Sequence, residues 1–109
     1  MTPHRVVFTP RAERQINRLF EFIAADSGPA RADDFVQGIV ERCMSLSHFP
    51  ERGTKRDDIR LGLRTIGHGR RVTIAFRVDR ARSLVRVLGV FYGGQDHAAA
   101  LGHGESDKK

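Results

Sequence analysis

An α+β fold, ordered β-α-α-β-β-β, with a helical hairpin packed on one face of a small, mainly antiparallel twisted sheet, is what this 109-residue sequence predicts. Three observations carry that expectation. Glycine use changes midway: Gly28 and Gly38 are the only glycines in residues 1–52 and the other nine follow, so the first half reads as helix and the second as strand and turn. Two apolar stripes at helical spacing occupy residues 12–23 and 32–46. From Arg71 to Val78 the chain alternates, with Val72, Ile74, Phe76 and Val78 on one side and Arg71, Thr73, Ala75 and Arg77 on the other, which is the period of a strand.

Each element has a local reason. Val6, Val7 and Phe8 form a first short strand. Thr9 then offers a side-chain oxygen to the orphan amides of a helix start, and Pro10 suits the first helical position. Ala12, Ile16, Leu19, Phe20 and Ile23 make a one-sided stripe, opposite Arg11, Glu13, Arg14, Asn17, Arg18 and Glu21. Asp26-Ser27-Gly28-Pro29 breaks the helix and restarts it. A second stripe, Ala32, Phe35, Val36, Ile39, Val40, Cys43 and Leu46, is more pronounced than the first, and two helices joined this closely pack as a hairpin. Cys43 lies inside the stripe, as a small buried hydrophobe does. Pro50 ends the helix, because the residue before proline avoids helical space.

Residues 51–60 read as a polar connection, Leu61–Ile66 as a second strand, and Gly67-His68-Gly69 as a tight turn. Residues 79–82 form a hairpin connection to Leu84–Tyr92, a strand apolar on both faces except at Arg86 and therefore central. Residues 95–101 have the pattern of a short helix, and 102–109 are expected to fray. The organisation is one domain over 1–101 with a flexible tail over 102–109. The helices cover the sheet face that carries Val72, Ile74, Phe76 and Val78. The other face is expected to be a basic platform built from Arg71 and Arg77, with Arg64 and Arg86.

Charge follows the same division. The chain has 16 Arg and 3 Lys against 13 acidic residues, a net of +6. Residues 52–86 hold eleven basic and three acidic residues, a net of +8, while the flanking segments are each at −1. Such a concentration marks a site for an anionic partner, nucleic acid or an acidic protein segment; the alternative is a solvated face in an Arg-rich protein. A single cysteine excludes an internal disulfide framework. No 18-residue apolar run and no secretion-signal core are present, so a cytoplasmic protein that spans no membrane is expected. The size is too small for a barrel enzyme or a dinucleotide-binding enzyme.

Asp57-Asp58 is a poor acid–base dyad, because neighbouring side chains diverge; a solvated loop or a helix cap explains it. His4, His48, His68, His97 and His103 show no metal-ligand spacing. Neither a metal nor another cofactor is expected. No phosphate-loop, nucleophile-elbow or dinucleotide fingerprint occurs. Phe91 and Tyr92 alone are too few aromatics for a stacking platform.

The ordered set TPRAERQINRLFEFIA, GPARADDF, FPERG, GLRTI, GRRVTIAFRV and VLGVFYGGQD, spread over about residues 3–97, resembles the RelE/ParE toxin superfamily, and ParE most closely. That resemblance implies a toxin of a type II toxin–antitoxin, or plasmid stabilisation, module. It implies a cognate ParD-like antitoxin with an amphipathic, partly acidic C-terminal segment, assembled with the toxin as a heterotetramer or larger. Two surfaces could receive the antitoxin: the groove beside the helical hairpin and the Arg-bearing sheet.

Within the superfamily, ParE-type toxins poison DNA gyrase and RelE-type toxins cut mRNA in the ribosome. RelE-type cleavage needs cations on the phosphate and a group for proton transfer. If this chain were a nuclease, Arg64, Arg71, Arg77 and His97 would serve. Gly62 stands where a further basic residue is expected, the late arginine of the pattern falls within Gly93-Gly94, and no tyrosine follows Tyr92. Arginine is also a poor proton shuttle. The expectation is therefore a non-catalytic gyrase inhibitor, with the RelE-like nuclease and a small non-toxic nucleic-acid-binding domain as alternatives. The residues expected to meet target or antitoxin are Arg60, Arg64, Arg71, Arg77, Arg86, Tyr92, Gln95 and Asp96.

Overall fold

A computed structural model describes residues 3–93 and bears out the predicted element order. Strand β1 (Arg5–Phe8) leads into helices α1 (Pro10–Ser27) and α2 (Pro29–Met44), and a single 3-10 turn follows at Ser45–Ser47. Then come β2 (Thr54–Lys55), β3 (Leu63–His68), β4 (Val72–Asp79) and β5 (Leu84–Tyr92). The sheet order is β1-β5-β4-β3-β2. β1 runs parallel to β5, and all other neighbours are antiparallel. The short helix expected at 95–101 and the tail lie outside the described residues.

The helix starts are built as their residues dictate. Thr9 is extended, its Oγ1 accepts from the Ala12 amide at 3.2 Å, and Pro10 opens α1. The same hydroxyl donates to the Leu88 carbonyl at 3.3 Å, so the cap also ties the helix to β5. One residue, Gly28, separates the helices. Its φ of +94° is a left-handed value that a side chain would oppose, and its amide closes α1 on Ala24 at 2.9 Å. Pro29 starts α2, and the two helices pack together.

The main core lies between the hairpin and one sheet face. Ala12, Leu19, Ile39, Cys43 and Leu46 meet Val72, Ile74, Phe76, Val85, Val87 and Val90. Burial pushes the Cys43 thiol from its ordinary value near 9 up to about 12. The native thiol thus stays protonated where the unfolded one ionises. This contribution to stability is intact at neutral pH and is lost as pH rises from about 9 through about 12. At pH 8 a thiol-specific reagent should leave the folded protein unmodified and label Cys43 fully after denaturation. Rapid labelling of the folded protein would contradict this burial.

The sheet carries a second, smaller cluster on the face away from the helices: Leu63, Ala75, Leu88 and Phe91, with Ile59 packed against them. A bulge creates it. Phe76 pairs with Val87 but Ala75 pairs with Gly89, so Leu88 is an extra residue on β5. The bulge lets Val85 and Val87 face the helices below it, and Val90 above it, without breaking the alternation. Beyond Phe8, β1 no longer covers β5, and the Gln15 side chain accepts from the Val90 amide there at 2.7 Å.

Three boundaries differ from those predicted. The polar connection contains β2, whose Thr54 and Lys55 pair with Thr65 and Arg64. The second strand of the sequence reading starts at Leu63 rather than Leu61, and it continues through Gly67 and His68, which pair with Thr73 and Val72. The turn is therefore residues 69–71, and Arg71 sits at the hairpin tip.

Candidate functional site

Period-2 geometry assigns each strand cation to a face. Phe76 faces the helices, so Arg77 faces away. Arg77 lies opposite Leu63 on β3 and opposite Arg86 on β5. Arg86 in turn lies beside Val7 on β1. The open face thus carries a row: Val7, Arg86, Arg77, Leu63. Arg77 is exposed and Arg86 half-buried. The Arg77 guanidinium rests on Gly62, where a Cβ would stand 3.5 Å from Nε. Gly62 has a φ of +82°, and its amide donates to Asp57 Oδ1 at 2.8 Å. The position expected to bear another cation is thus a turn glycine that gives Arg77 room.

Arg64 is corrected to the other face. It pairs with Phe76, and directly opposite residues share a side. Fully buried Leu63 takes the open-face position instead, and burial of leucine rather than arginine sets this parity. Arg64 donates to the Arg52 carbonyl at 3.3 Å and lies 4.0 Å from Glu51. Arg71 is also corrected, from the platform to the tip between β3 and β4, where its carbonyl accepts from the Gly93 amide at 2.8 Å. The face is not the uniform basic platform expected, because the Leu63–Ala75–Leu88–Phe91 cluster occupies its middle.

Tyr92 faces the helices. Its ring meets Phe22 at 6.2 Å and Phe35 at 6.0 Å. A groove of about 350 Å³ opens there, lined by Gln15, Arg18, Leu19, Phe22, Val90 and Tyr92. Phe22 is 60% exposed. Its only signal in the sequence was an aromatic residue out of phase with the α1 stripe. Gln95, Asp96 and His97 lie outside the described residues.

Most cations at the end of the sheet near Arg77 have answers. Arg56 makes two 3.1 Å hydrogen bonds to Asp58, which hold that carboxyl below its ordinary range. Arg80 pairs with Glu51, and Arg82 lies 3.9 Å from Asp79. Arg60 is half-buried, its amide donating to the Arg56 carbonyl at 3.1 Å. Asp57 and Asp58 bind different partners, as diverging neighbours must. Among the described residues, Arg77 and Arg86 have no carboxylate within 4.0 Å.

Chemically, the candidate nuclease cations do not converge. Arg64 and Arg77 point to opposite faces, and Arg71 lies six residues along the chain from Arg77, roughly 20 Å at strand rise. Among the described residues no three His, Cys, Asp or Glu side chains gather as a metal site would require. No helix there is long and apolar enough to cross a membrane.

A helical hairpin on a five-stranded, mostly antiparallel open sheet is shared with two solved chains. The chain is similar to one from the chromosomal ParDE toxin–antitoxin system of P. aeruginosa, with a TM-score of 0.72 and 23% identity over 83% of this chain and 96% of that one. It is also similar to one from the RelBE2 toxin–antitoxin complex of Mycobacterium tuberculosis, with a TM-score of 0.63 and 25% identity over 87% of this chain and 97% of that one. No curated protein sequence matches it. The family model for the ParE toxin of the type II toxin–antitoxin system parDE matches residues 6–97, and the chain belongs to that family.

Proposed function

We propose that this ParE-family toxin acts by binding and inhibiting DNA gyrase, catalyses no reaction of its own, and is neutralised in the cytoplasm by a cognate ParD-like antitoxin in a heterotetramer or larger assembly. One observation carries the choice against RNA cleavage: Arg64, Arg71 and Arg77 lie on one face, at a tip and on the opposite face, so they cannot crowd one phosphate. Cleavage through the ribose 2′-hydroxyl needs several cations on one phosphate and a proton acceptor beside them. Family membership over residues 6–97 supports the toxin reading, and the similarity to subunits of two toxin–antitoxin complexes supports an antitoxin partner.

The antitoxin segment would use the open face around Arg77 and Arg86. The groove with Tyr92, and the following residues Gln95 and Asp96, are the proposed contacts to the target. Arg60, next to Ile59 of the open-face cluster, joins the first set. A disordered tail that folds on binding can cover such a surface.

Induction of the toxin without antitoxin should arrest growth within a few generations and leave mRNA 5′ ends unchanged at codon resolution. New codon-positioned ends, lost in Arg71→Ala, would replace this reading with the nuclease. Unimpaired growth at high expression would replace it with a non-toxic binding domain.

A further inference from the structure

The register of β4 on β5 places Arg77 directly opposite Arg86. Like charges in that position repel and destabilise the pairing. Three other cations of residues 52–86 are answered within the fold, Arg56 by Asp58, Arg80 by Glu51 and Arg82 by Asp79. Among the described residues the chain thus keeps one unfavourable pair on its open face while neutralising those three cations.

We propose that Arg77 and Arg86 are a two-pronged anchor for a single carboxylate of an acidic, partly aliphatic peptide segment; this rests on the antitoxin reading above and specifies its contact. From opposite register positions the two side chains can turn their guanidinium forks onto the two oxygens of one carboxylate, Arg77 leaving its rest on Gly62, and such charge-assisted bonds are among the stronger ones. The setting selects a peptide over a nucleic acid. Asp57 accepts from the Gly62 amide under the Arg77 guanidinium, and Asp79 lies two residues along β4 on the same face; both repel the successive charges of a phosphate backbone but tolerate one isolated anion. Val7 and Leu63 flank the arginines in the same row. Leu61, next to the Gly62 that supports Arg77, is 79% exposed and offers an aliphatic contact. Phe91, the aromatic on this face, is only 5% exposed, so a base has nothing there to stack on.

The test uses the full-length toxin with three labelled probes: a dodecapeptide alternating Glu and Leu, its Gln-Leu counterpart, and a single-stranded dodecanucleotide. The Glu-Leu peptide should bind and the Gln-Leu peptide should not. Arg77→Gln and Arg86→Gln should each weaken binding at least about tenfold, the loss of one charged hydrogen bond. The double variant should lose little more than either single one, because both prongs hold one carboxylate. Arg82→Gln, at the same end but outside the pair, should bind like wild type. Each single variant should melt at or above the wild-type temperature, since repulsion is relieved. A merely structural pair would melt lower.

Equal peptide binding by wild type and both variants would overturn the anchor. So would tighter binding of the oligonucleotide that is lost in the variants, or a fall of several degrees in both melting temperatures with binding unchanged. Gyrase inhibition is read separately: if the peptide results hold and gyrase is unaffected, the anchor stands and the gyrase reading falls.

Discussion

Replacing Phe76 by alanine is expected to destabilise the fold by about 3–5 kcal/mol. Phe76 heads the fully buried side chains by volume. It stands in the helix-facing cluster with Ile39, Leu46 and Val87, so truncation leaves a cavity that two helices and the sheet cannot collapse together. A domain of this size has only about 5–15 kcal/mol in all, and the midpoint of thermal unfolding should fall by on the order of 10–20 °C. The neighbouring substitution, Arg77→Ala, should leave stability within about 0.5 kcal/mol of wild type or raise it slightly. The contrast matters more than either value. Adjacent strand residues point to opposite faces, so a one-residue slip in β4 would exchange the two outcomes. A small effect at Phe76 with a large one at Arg77 would contradict the register, and with it the whole placement of charge.

The hairpin was legible because its punctuation is local. Thr9-Pro10 and Gly28-Pro29 each specify a helix start within a few residues, and they fall where α1 and α2 begin. The alternation of β4 was legible for the same reason. Features set by a partner strand were not. β2 is two residues long, and nothing in Thr54-Lys55 marks it; it exists because Thr65 and Arg64 lie alongside. The bulge at Leu88 is invisible in LVRVLGVFY, since that segment is apolar on both sides. It took the pairing with Ala75 and Phe76 to show it.

The candidate site was half legible for the same physical reason. Arg77 followed from the strand period, and Arg86 from being the one charge in an apolar run. Arg64 went to the wrong face because its parity depends on where β3 begins, and that depends on burying Leu63 rather than on any local signal. Arg71 slid to the tip because Gly67 and His68 remain paired. Within a diffuse charge of +8 over residues 52–86, the register singles out two arginines that stand opposite each other on the open face with no ion pair among the described residues.

The largest functional effect expected is on DNA gyrase. A binding inhibitor with dispersed arginines has no turnover, so its effect should saturate with toxin concentration and follow occupancy rather than time. It should also be reversed by stoichiometric antitoxin, because one tight complex replaces another. The decisive measurement is ATP-dependent supercoiling of relaxed plasmid by purified gyrase, titrated with purified toxin and followed by denaturation to reveal trapped, cleaved DNA. The predicted result is loss of supercoiling with accumulation of linear DNA, both abolished by antitoxin. Normal supercoiling and no cleaved DNA at saturating toxin would contradict the account.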